Sequence, residues 1–199
     1  MNYLKPRNTW GILMRIGGLL FGALFVGHYA DILLAAERKT EQQIDACGFL
    51  TDSEVAELAH ATTEPGERHD DGALQSGEYA VPGTFSSTCL WKLSEAGAPD
   101  VSAPSFEGAS YVILNVMQWP KGSGQARHFL ESFRDAARRG EIAQTPVPLN
   151  IGDEGLWWGD GVAVCKADRS FGVSVHLAGD RDRERKIEEA LARRVASRL

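Results

Sequence analysis

The feature that most constrains this chain is one long apolar run near its N-terminus, from residue 16 to residue 36. As a helix, its 21 residues would span roughly 31 Å, which matches the hydrocarbon core of a bilayer. Lys5, Arg7 and Arg15 precede the run, and a mostly polar sequence follows it. This layout predicts a single transmembrane helix that anchors one polar domain.

Aromatic and charged residues around the run indicate where the helix crosses the membrane. Trp10 and Tyr29 are 19 residues apart, or roughly 28 Å along a helix, so they can occupy the two interfacial belts. The span then covers about residues 11–30, and Asp31 reaches water. Because basic residues are concentrated before the run, we expect a cytoplasmic N-terminus and an extracytoplasmic C-terminal domain.

Two other interpretations of the run remain open. A cleaved signal peptide would share the basic start and the apolar middle, especially if Met14 were the true start. The candidate cleavage sites, however, place Leu34 or His28 where a small residue is required, so we favour an uncleaved signal-anchor. The other alternative is a helix that lies in the membrane surface.

Small residues recur four positions apart within the run, in the pairs Gly18 with Gly22 and Ala23 with Gly27. Such pairs let two membrane helices approach closely. The pattern is therefore compatible with a homodimer formed through this helix face, although glycine is also generally frequent in membrane helices.

The charge of the polar part excludes one class of partner. Past residue 39, 16 Lys and Arg oppose 25 Asp and Glu, which gives a net charge of −9. Nucleic-acid binding needs a basic surface for the phosphates, and anionic lipid headgroups would repel this domain. We therefore expect no nucleic-acid partner, and membrane attachment through the single-pass anchor alone.

Three regions follow from these patterns. Residues 1–36 form the cytoplasmic N-terminus and the transmembrane signal-anchor. Residues 37–46 contain good helix formers with few apolar groups, and we expect them to form a short stalk. Residues 47–199 form the extracytoplasmic domain, which is long enough for one hydrophobic core.

The polar domain shows helix and strand patterns in the order α-β-β-α-β-β-α. Thr51 and Glu54 form a capping box that begins the first helix, and Gly140 ends the second. Residues 64–78, rich in glycine and acid, predict a loop. The other elements are expected as strands at 87–93, 110–119, 161–166 and 171–177, and as helices at about 126–137 and from about 180 onward. The expected fold is α+β, with an antiparallel sheet packed by helices on one face.

The chain has three cysteines, Cys47, Cys89 and Cys165. None forms a C-x-x-C pair, so the spacing argues against structural zinc, and we expect neither a metal nor a cofactor. In an oxidising compartment two of the three would form a disulfide and one would remain. The spacing leaves the pairing open.

Short motifs in the polar domain resemble the DUF3558-type domains, which are actinobacterial envelope proteins and lipoproteins of unknown function. Residues 47–55, CGFLTDSEV, are similar to the opening of those domains. Cys89-Leu90-Trp91 resembles their second cysteine, and the turn at 151–154, IGDE, is also similar. The resemblance implies an exported α+β domain with no assigned enzyme activity, and it pairs Cys47 with Cys89. This chain lacks the lipid-attachment motif and has the apolar run instead.

Two sets of residues are candidates for a site. The first is aromatic: Trp119, Trp157 and Trp158 lie at strand and loop ends, where exposed rings would be anchors for a partner or a glycan surface, although large aromatics also fill small cores. The second is the charged loop, for which a solvated surface is favoured over a metal site because calcium-loop spacing is absent. Its members are Glu64, Glu67, His69, Asp70 and Asp71.

No catalytic motif is present, since no serine lies in a nucleophile-elbow pattern. The sequence therefore favours a membrane-anchored binding domain for an envelope protein or a small ligand, and not an enzyme. One alternative is an envelope hydrolase whose site would use His69 or His176. Another is a structural assembly component that dimerises through its transmembrane helix.

Overall fold

The structure, a computed structural model, describes residues 44–73, 81–94, 110–177 and 181–199. The predicted signal-anchor, with Gly18, Gly22, Ala23 and Gly27, lies outside the described residues, as does the predicted stalk up to residue 43. Across the four described ranges, no helix is both long enough and apolar enough to cross a membrane.

The described residues form eight strands and three α-helices. The predicted α+β class with an antiparallel sheet is confirmed, although the sequence predicts only four of these strands. A short 3₁₀ helix, Ala46–Phe49, precedes them. The α-helices are α1 (Asp52–Ala59), α2 (Gln125–Arg139) and α3 (Arg181–Arg198). The strands are β1 (Thr62–Thr63), β2 (Glu67–Ala73), β3 (Phe85–Ser94), β4 (Ser110–Gln118), β5 (Val147–Leu149), β6 (Glu154–Trp157), β7 (Val162–Lys166) and β8 (Arg169–His176).

All eight strands belong to one antiparallel sheet with the order β1-β3-β4-β8-β7-β6-β5, and β2 pairs with β3 on the same side as β1. The two long central pairs are β3 with β4 and β4 with β8. The predicted hairpin is present as β7 and β8, joined by a tight turn in which Ala167 has a φ of 52°. Successive strands therefore lie next to each other with two exceptions: β1 and β2 both pair with β3, and β5–β7 are inserted between β4 and β8 in the chain.

One face of the sheet carries the larger core. The 3₁₀ helix, α1 and α3 all pack on this face, over buried side chains of β3, β4, β7 and β8. Ile44 and Ala46, at the end of the predicted stalk, are buried in the same core. Both residues therefore pack among the sheet side chains of this core.

The other face holds a smaller core under α2, which packs on β6, β7 and β8. The expectation that all helices cover one face is therefore wrong. Ala126 and Leu130 of α2 are buried against Leu156, Ala163 and Cys165, which point away from the larger core. The apolar side of an amphipathic helix predicts that the helix packs against the protein core. It does not predict which face of the sheet the helix covers.

The predicted loop at 64–78 contains a strand, β2. Its sequence, ERHDDGA, has no apolar alternation, so the periodicity that identifies half-buried strands is absent. The segment is held by pairing with β3 from Glu67–Leu90 to Ala73–Phe85. Charged side chains are common on edge strands, where they oppose pairing with another chain.

The predicted disulfide between Cys47 and Cys89 is present, with a Cα–Cα distance of 5.1 Å. It joins the 3₁₀ helix to the centre of β3. Gly66 lies directly over this junction, because a Cβ at this position would come within 2.8 Å of the Cys89 Sγ and 2.6 Å of the Trp91 Nε1. The disulfide therefore fixes the start of the folded domain to its sheet.

The predicted capping box also forms, and it extends into an ion-pair cluster. Thr51 and Glu54 exchange side-chain and backbone hydrogen bonds at the start of α1. Arg198 and Arg194, at the end of α3, both donate to the Glu54 carboxylate. The hydrogen bond from Arg198 lowers the pKa of Glu54 to about 2.

This low pKa predicts an acid-sensitive contribution to stability. The unfolded value is near 4.5, so the contribution is present above that pH and is lost as the pH falls towards 2. We expect Glu54→Gln to unfold with a shallower pH dependence between these values, as measured by urea unfolding monitored by circular dichroism. Glu57→Gln, on the exposed side of the same helix, is the matched control; equal pH dependence in both variants would contradict the assignment.

Candidate functional site

The three tryptophans proposed as partner anchors differ in exposure. Trp119 is 3 % exposed and donates from Nε1 to the Ser170 Oγ at 2.8 Å. Trp157 is 8 % exposed and donates to Glu188 at 3.0 Å. Burial leaves little of either ring for a partner, and both side chains act as core aromatics with satisfied N–H groups. Trp158 remains partly exposed.

The charged segment is organised by ion pairs along β2. Arg68 contacts the carboxylates of Asp45 and Asp70, and its hydrogen bond lowers the pKa of Asp70. His69 lies 3.4 Å from Glu67. In the described part of the chain, no group of three or more His, Cys, Asp or Glu residues has the arrangement of a metal site.

The two histidines named for a possible hydrolase make other contacts. His69 pairs with Glu67, and His176 stacks on Tyr111 with ring centroids 5.3 Å apart. Neither contact involves a serine or cysteine. The free thiol of Cys165 is buried, and this burial raises its pKa, which keeps it in the unreactive thiol form.

Two buried glutamates of α3 accept hydrogen bonds from backbone N–H groups at the end of β8. Glu188 accepts hydrogen bonds from the backbone N–H of Val175 at 3.1 Å and from Trp157. Glu184 accepts from the Leu177 N–H at 2.6 Å and from Arg181. Strand β7 begins at Val162, opposite Val173, so these N–H groups lie beyond its end. The carboxylates take the place of a strand partner, which is a structural role.

A shallow cavity of about 340 Å³ lies between the turn after β5 and the end of α3. Its two cationic groups are already engaged. Lys166 donates to the Ala196 carbonyl at 2.7 Å, and Arg193 donates to the Asn150 carbonyl at 3.0 Å. The Asp153 carboxylate, which also lines the cavity, accepts from the Ala167 N–H at 2.7 Å. Each charged group that lines this cavity therefore already binds the backbone.

The most distinctive surface is the part of the second sheet face that α2 leaves half-buried. Five side-chain positions define it, and we call it the open face: Thr88, Ile113, Asn115, Gly172 and Ser174. They belong to β3, β4 and β8, which lie next to one another in the sheet. The antiparallel sheet thus has one face on the larger core, while the opposite face at its centre is mainly polar and half-buried.

The strand register places the open face in two continuous rows. One row runs from Ala163 through Gly172 and Asn115 to Thr88, and continues to His69 on β2. The other runs from Ser174 through Ile113 to Leu90 and then to Glu67. With strands about 4.8 Å apart, the surface from β8 to β3 is about 10 Å wide.

Hydrogen bonds hold the polar groups of the open face in fixed directions. Asn115 donates from Nδ2 to the Thr88 Oγ1 at 2.8 Å and to the Ser86 Oγ at 3.0 Å. The amide is therefore oriented, and its Oδ1 accepts no hydrogen bond recorded among the described residues. The Ser174 hydroxyl likewise has no hydrogen bond recorded there. Each of these groups can bind a ligand that both donates and accepts.

Aromatic rings border the open face beside β8. Gly161 lies between Trp158 and Ser174, because a Cβ built on it would be 3.3 Å from the Trp158 Nε1 and 2.5 Å from the Ser174 Oγ. Phe133 of α2 packs against Trp158 with centroids 5.4 Å apart. Both rings are partly exposed. The arrangement is a polar floor with an aromatic side.

Gly172 has open space above it on the open face. A Cβ there would find Val162 O, at 4.0 Å, as its nearest atom among the described residues. Nothing in the described packing therefore requires glycine, although glycine weakens the interior of a strand. Glycine in a strand interior often marks a place where a ligand or another backbone approaches closely.

This space predicts that Gly172→Ala will stabilise the domain by about 0.5–1 kcal/mol, because alanine restricts the unfolded chain without a steric penalty. The matched control is Gly155→Ala in β6, which should destabilise the domain because the new Cβ would lie 3.0 Å from the Ile151 carbonyl oxygen. Urea unfolding of both variants measures the difference. A loss of stability in Gly172→Ala would show that the space is filled.

Sequence reasoning missed the open face. The alternation of Phe171, Val173 and Val175 with Gly172 and Ser174 predicts one buried side of this strand, but it carries no signal for a site on the other side. Comparison of the chain with protein-family models, curated proteins and solved structures finds no match. The resemblance to actinobacterial envelope domains therefore stays a prediction.

Proposed function

We propose that this chain is a membrane-anchored extracytoplasmic binding domain whose ligand occupies the open face. The observation that carries the proposal is the half-buried, uncharged and hydrogen-bonding surface at the centre of the sheet. Its Asn115 amide is held in a fixed direction by two hydrogen bonds, and the partly exposed ring of Trp158 lies beside this surface, so the surface can bind a ligand by hydrogen bonds and by ring contact. The described contacts supply no nucleophile and base pair, which favours binding over hydrolysis.

The compartment is inferred from the cysteines and the apolar run together. Disulfides persist in oxidising compartments and are rare in the cytosol, and Cys47–Cys89 joins elements at the core of the domain. The apolar run precedes the domain with basic residues on its N-terminal side, which favours translocation of the polar part. Both observations support an extracytoplasmic domain held at the membrane.

Counting the free thiols of the protein as cells are lysed tests the compartment. Free thiols are blocked with a membrane-permeant maleimide under denaturing lysis, and the protein is then reduced and labelled with a maleimide that carries a polyethylene glycol chain. We expect two added chains per molecule, one each on Cys47 and Cys89, and none in the Cys47→Ala variant. Blocking of all three cysteines before reduction would contradict an oxidising compartment.

A probe panel tests the open face as the binding site. The full chain in detergent micelles is heated with chitohexaose, maltohexaose, a neutral Gly-Ser hexapeptide or inorganic phosphate, since a ligand of the folded state raises the melting temperature. We expect at least one probe to stabilise the wild type and to have no effect on Gly172→Leu, whose side chain would fill the floor. Equal effects on both proteins, or no effect of any probe, would contradict the proposal.

A further inference from the structure

Resting on the proposed function, we infer that the ligand of the open face is a neutral carbohydrate chain. The five residues of the open face carry no ionisable side chain, although the polar part of this chain has a net charge of −9 past residue 39. Charged groups in these rows, Glu67 and His69, lie on β2 and pair with each other. A charged ligand would find no counter-charge on the floor, and its desolvation would oppose binding.

The hydrogen-bonding groups match hydroxyls. A sugar hydroxyl donates one hydrogen bond and accepts others, so it pairs best with groups that can do the same. The Thr88 hydroxyl accepts from Asn115 and keeps its own hydrogen for donation, while the fixed Asn115 Oδ1 can accept. The Ser174 hydroxyl can do both. These groups lie one or two strands apart, which spreads them along a ligand about 10 Å across.

The aromatic side supplies the second element of carbohydrate recognition. One face of a pyranose ring exposes C–H groups, and these pack on the electron-rich face of an aromatic ring. Trp158 lies next to Ser174 across Gly161, and Phe133 packs against it. A sugar ring on Trp158 would therefore reach the Ser174 hydroxyl, and the next unit would extend over Gly172 towards Asn115.

An extended peptide fits this surface less well. Peptide recognition on a sheet commonly uses a free strand edge, where backbone N–H and C=O groups are unpaired. The open face lies on β3, β4 and β8, which are paired on both sides except past Val173 of β8. There, Glu188 and Glu184 accept from the N–H groups of Val175 and Leu177. A peptide would have to bind by side chains alone, whereas a neutral oligosaccharide presents hydroxyls to the floor and C–H faces to the rings.

Isothermal titration of the full chain in micelles tests the ligand class. We expect chitohexaose or maltohexaose to bind, and we expect the neutral Gly-Ser hexapeptide and a sulfated oligosaccharide of equal length not to bind. Asn115→Leu and Trp158→Ala should each weaken oligosaccharide binding by about tenfold or more. Trp158→Phe should retain part of the affinity because it keeps a ring.

The matched control is Asn150→Leu, on an exposed turn outside the open face, which should bind like the wild type. The melting temperature of each variant, measured without ligand, separates loss of binding from loss of folding. Oligosaccharide binding that Asn115→Leu and Trp158→Ala leave unchanged would overturn the inference. If only the hexapeptide or the sulfated probe binds, and Gly172→Leu abolishes that binding, the inference of a neutral carbohydrate is overturned and the proposed function stands. Absence of binding by every probe would overturn both.

Discussion

Breaking the Cys47–Cys89 disulfide should lower the free energy of unfolding by about 4 kcal/mol. The two cysteines are 42 residues apart in sequence, and in the chain-entropy model a closed loop of this length restricts the unfolded chain by about that amount. The effect is large because domains of this size are commonly stable by only about 5–15 kcal/mol. Loss of the bridge should also release the 3₁₀ helix at the start of the domain from β3.

Guanidinium unfolding of the Cys47→Ala variant, compared with the wild type before and after reduction, measures this contribution. Cys47→Ala is preferred because Cys89 is fully buried, and its replacement would add the cost of a cavity. The variant should match the reduced wild type and should not respond to reductant. Cys165→Ala, which removes the free thiol, is the control and should keep its response to reductant. A reduced wild type as stable as the oxidised protein would contradict a structural role.

Glu188→Ala should destabilise the domain by about 3 kcal/mol or more. The Glu188 carboxylate is buried and accepts from the Val175 backbone N–H and the Trp157 Nε1. Its removal leaves two buried donors without an acceptor, and each costs roughly 1–3 kcal/mol. Glu189→Ala, at the neighbouring half-exposed position of α3, removes an equal volume and should cost much less. Urea unfolding of both variants gives the comparison.

The raised pKa of Glu188 predicts that its contribution to stability changes with pH in the opposite direction to that of Glu54. Burial raises the pKa of Glu188 above its ordinary value of 4.5, so the folded state favours the protonated carboxyl. Its contribution to stability therefore rises as the pH falls through the folded pKa, and levels off below the unfolded value. Glu188→Gln keeps an acceptor oxygen and should remove this rise. A stability curve of unchanged shape in Glu188→Gln would contradict the assignment.

Local sequence signals predicted local structure well. The Thr51 and Glu54 spacing predicted the start of α1, and the capping box is present, because both partners lie within one helical turn. Gly140 ends α2 in a left-handed conformation, with a φ of 75°, as expected for glycine at this position. The alternation in β8 correctly predicted its buried side.

Features that depend on distant residues were missed. The strand β2 exists because β3 pairs with it, and its own residues give no strand pattern. Glu184 and Glu188 stand four apart on α3, a spacing that is typical of an exposed helix surface, but the end of β8 requires acceptors where they lie. The charge and spacing of these glutamates do not distinguish an exposed helix surface from a buried position that accepts backbone hydrogen bonds.

The open face required the strand register. Thr88, Asn115 and Gly172 form one row only because three strands separated in sequence pair at those positions. Each strand contributes a single small or polar residue to this row, which is ordinary for the less buried side of an antiparallel strand. Likewise, the tryptophan nearest the open face is Trp158, although Trp157 is its neighbour in sequence. The two point to opposite sides of the sheet, as adjacent residues of an extended chain do.

The most direct test of the open face as a ligand site is isoleucine methyl NMR of the full chain in micelles, titrated with chitohexaose and maltohexaose. Ile113 lies on the open face, whereas Ile44, Ile151 and Ile187 lie in the core on the other side of the sheet. We predict a saturable shift of the Ile113 methyl signal with at least one of the two oligosaccharides, and no shift of the three core methyls. An Ile113 signal that stays in place throughout both titrations, or oligosaccharide binding that moves only the core methyls, would contradict the account.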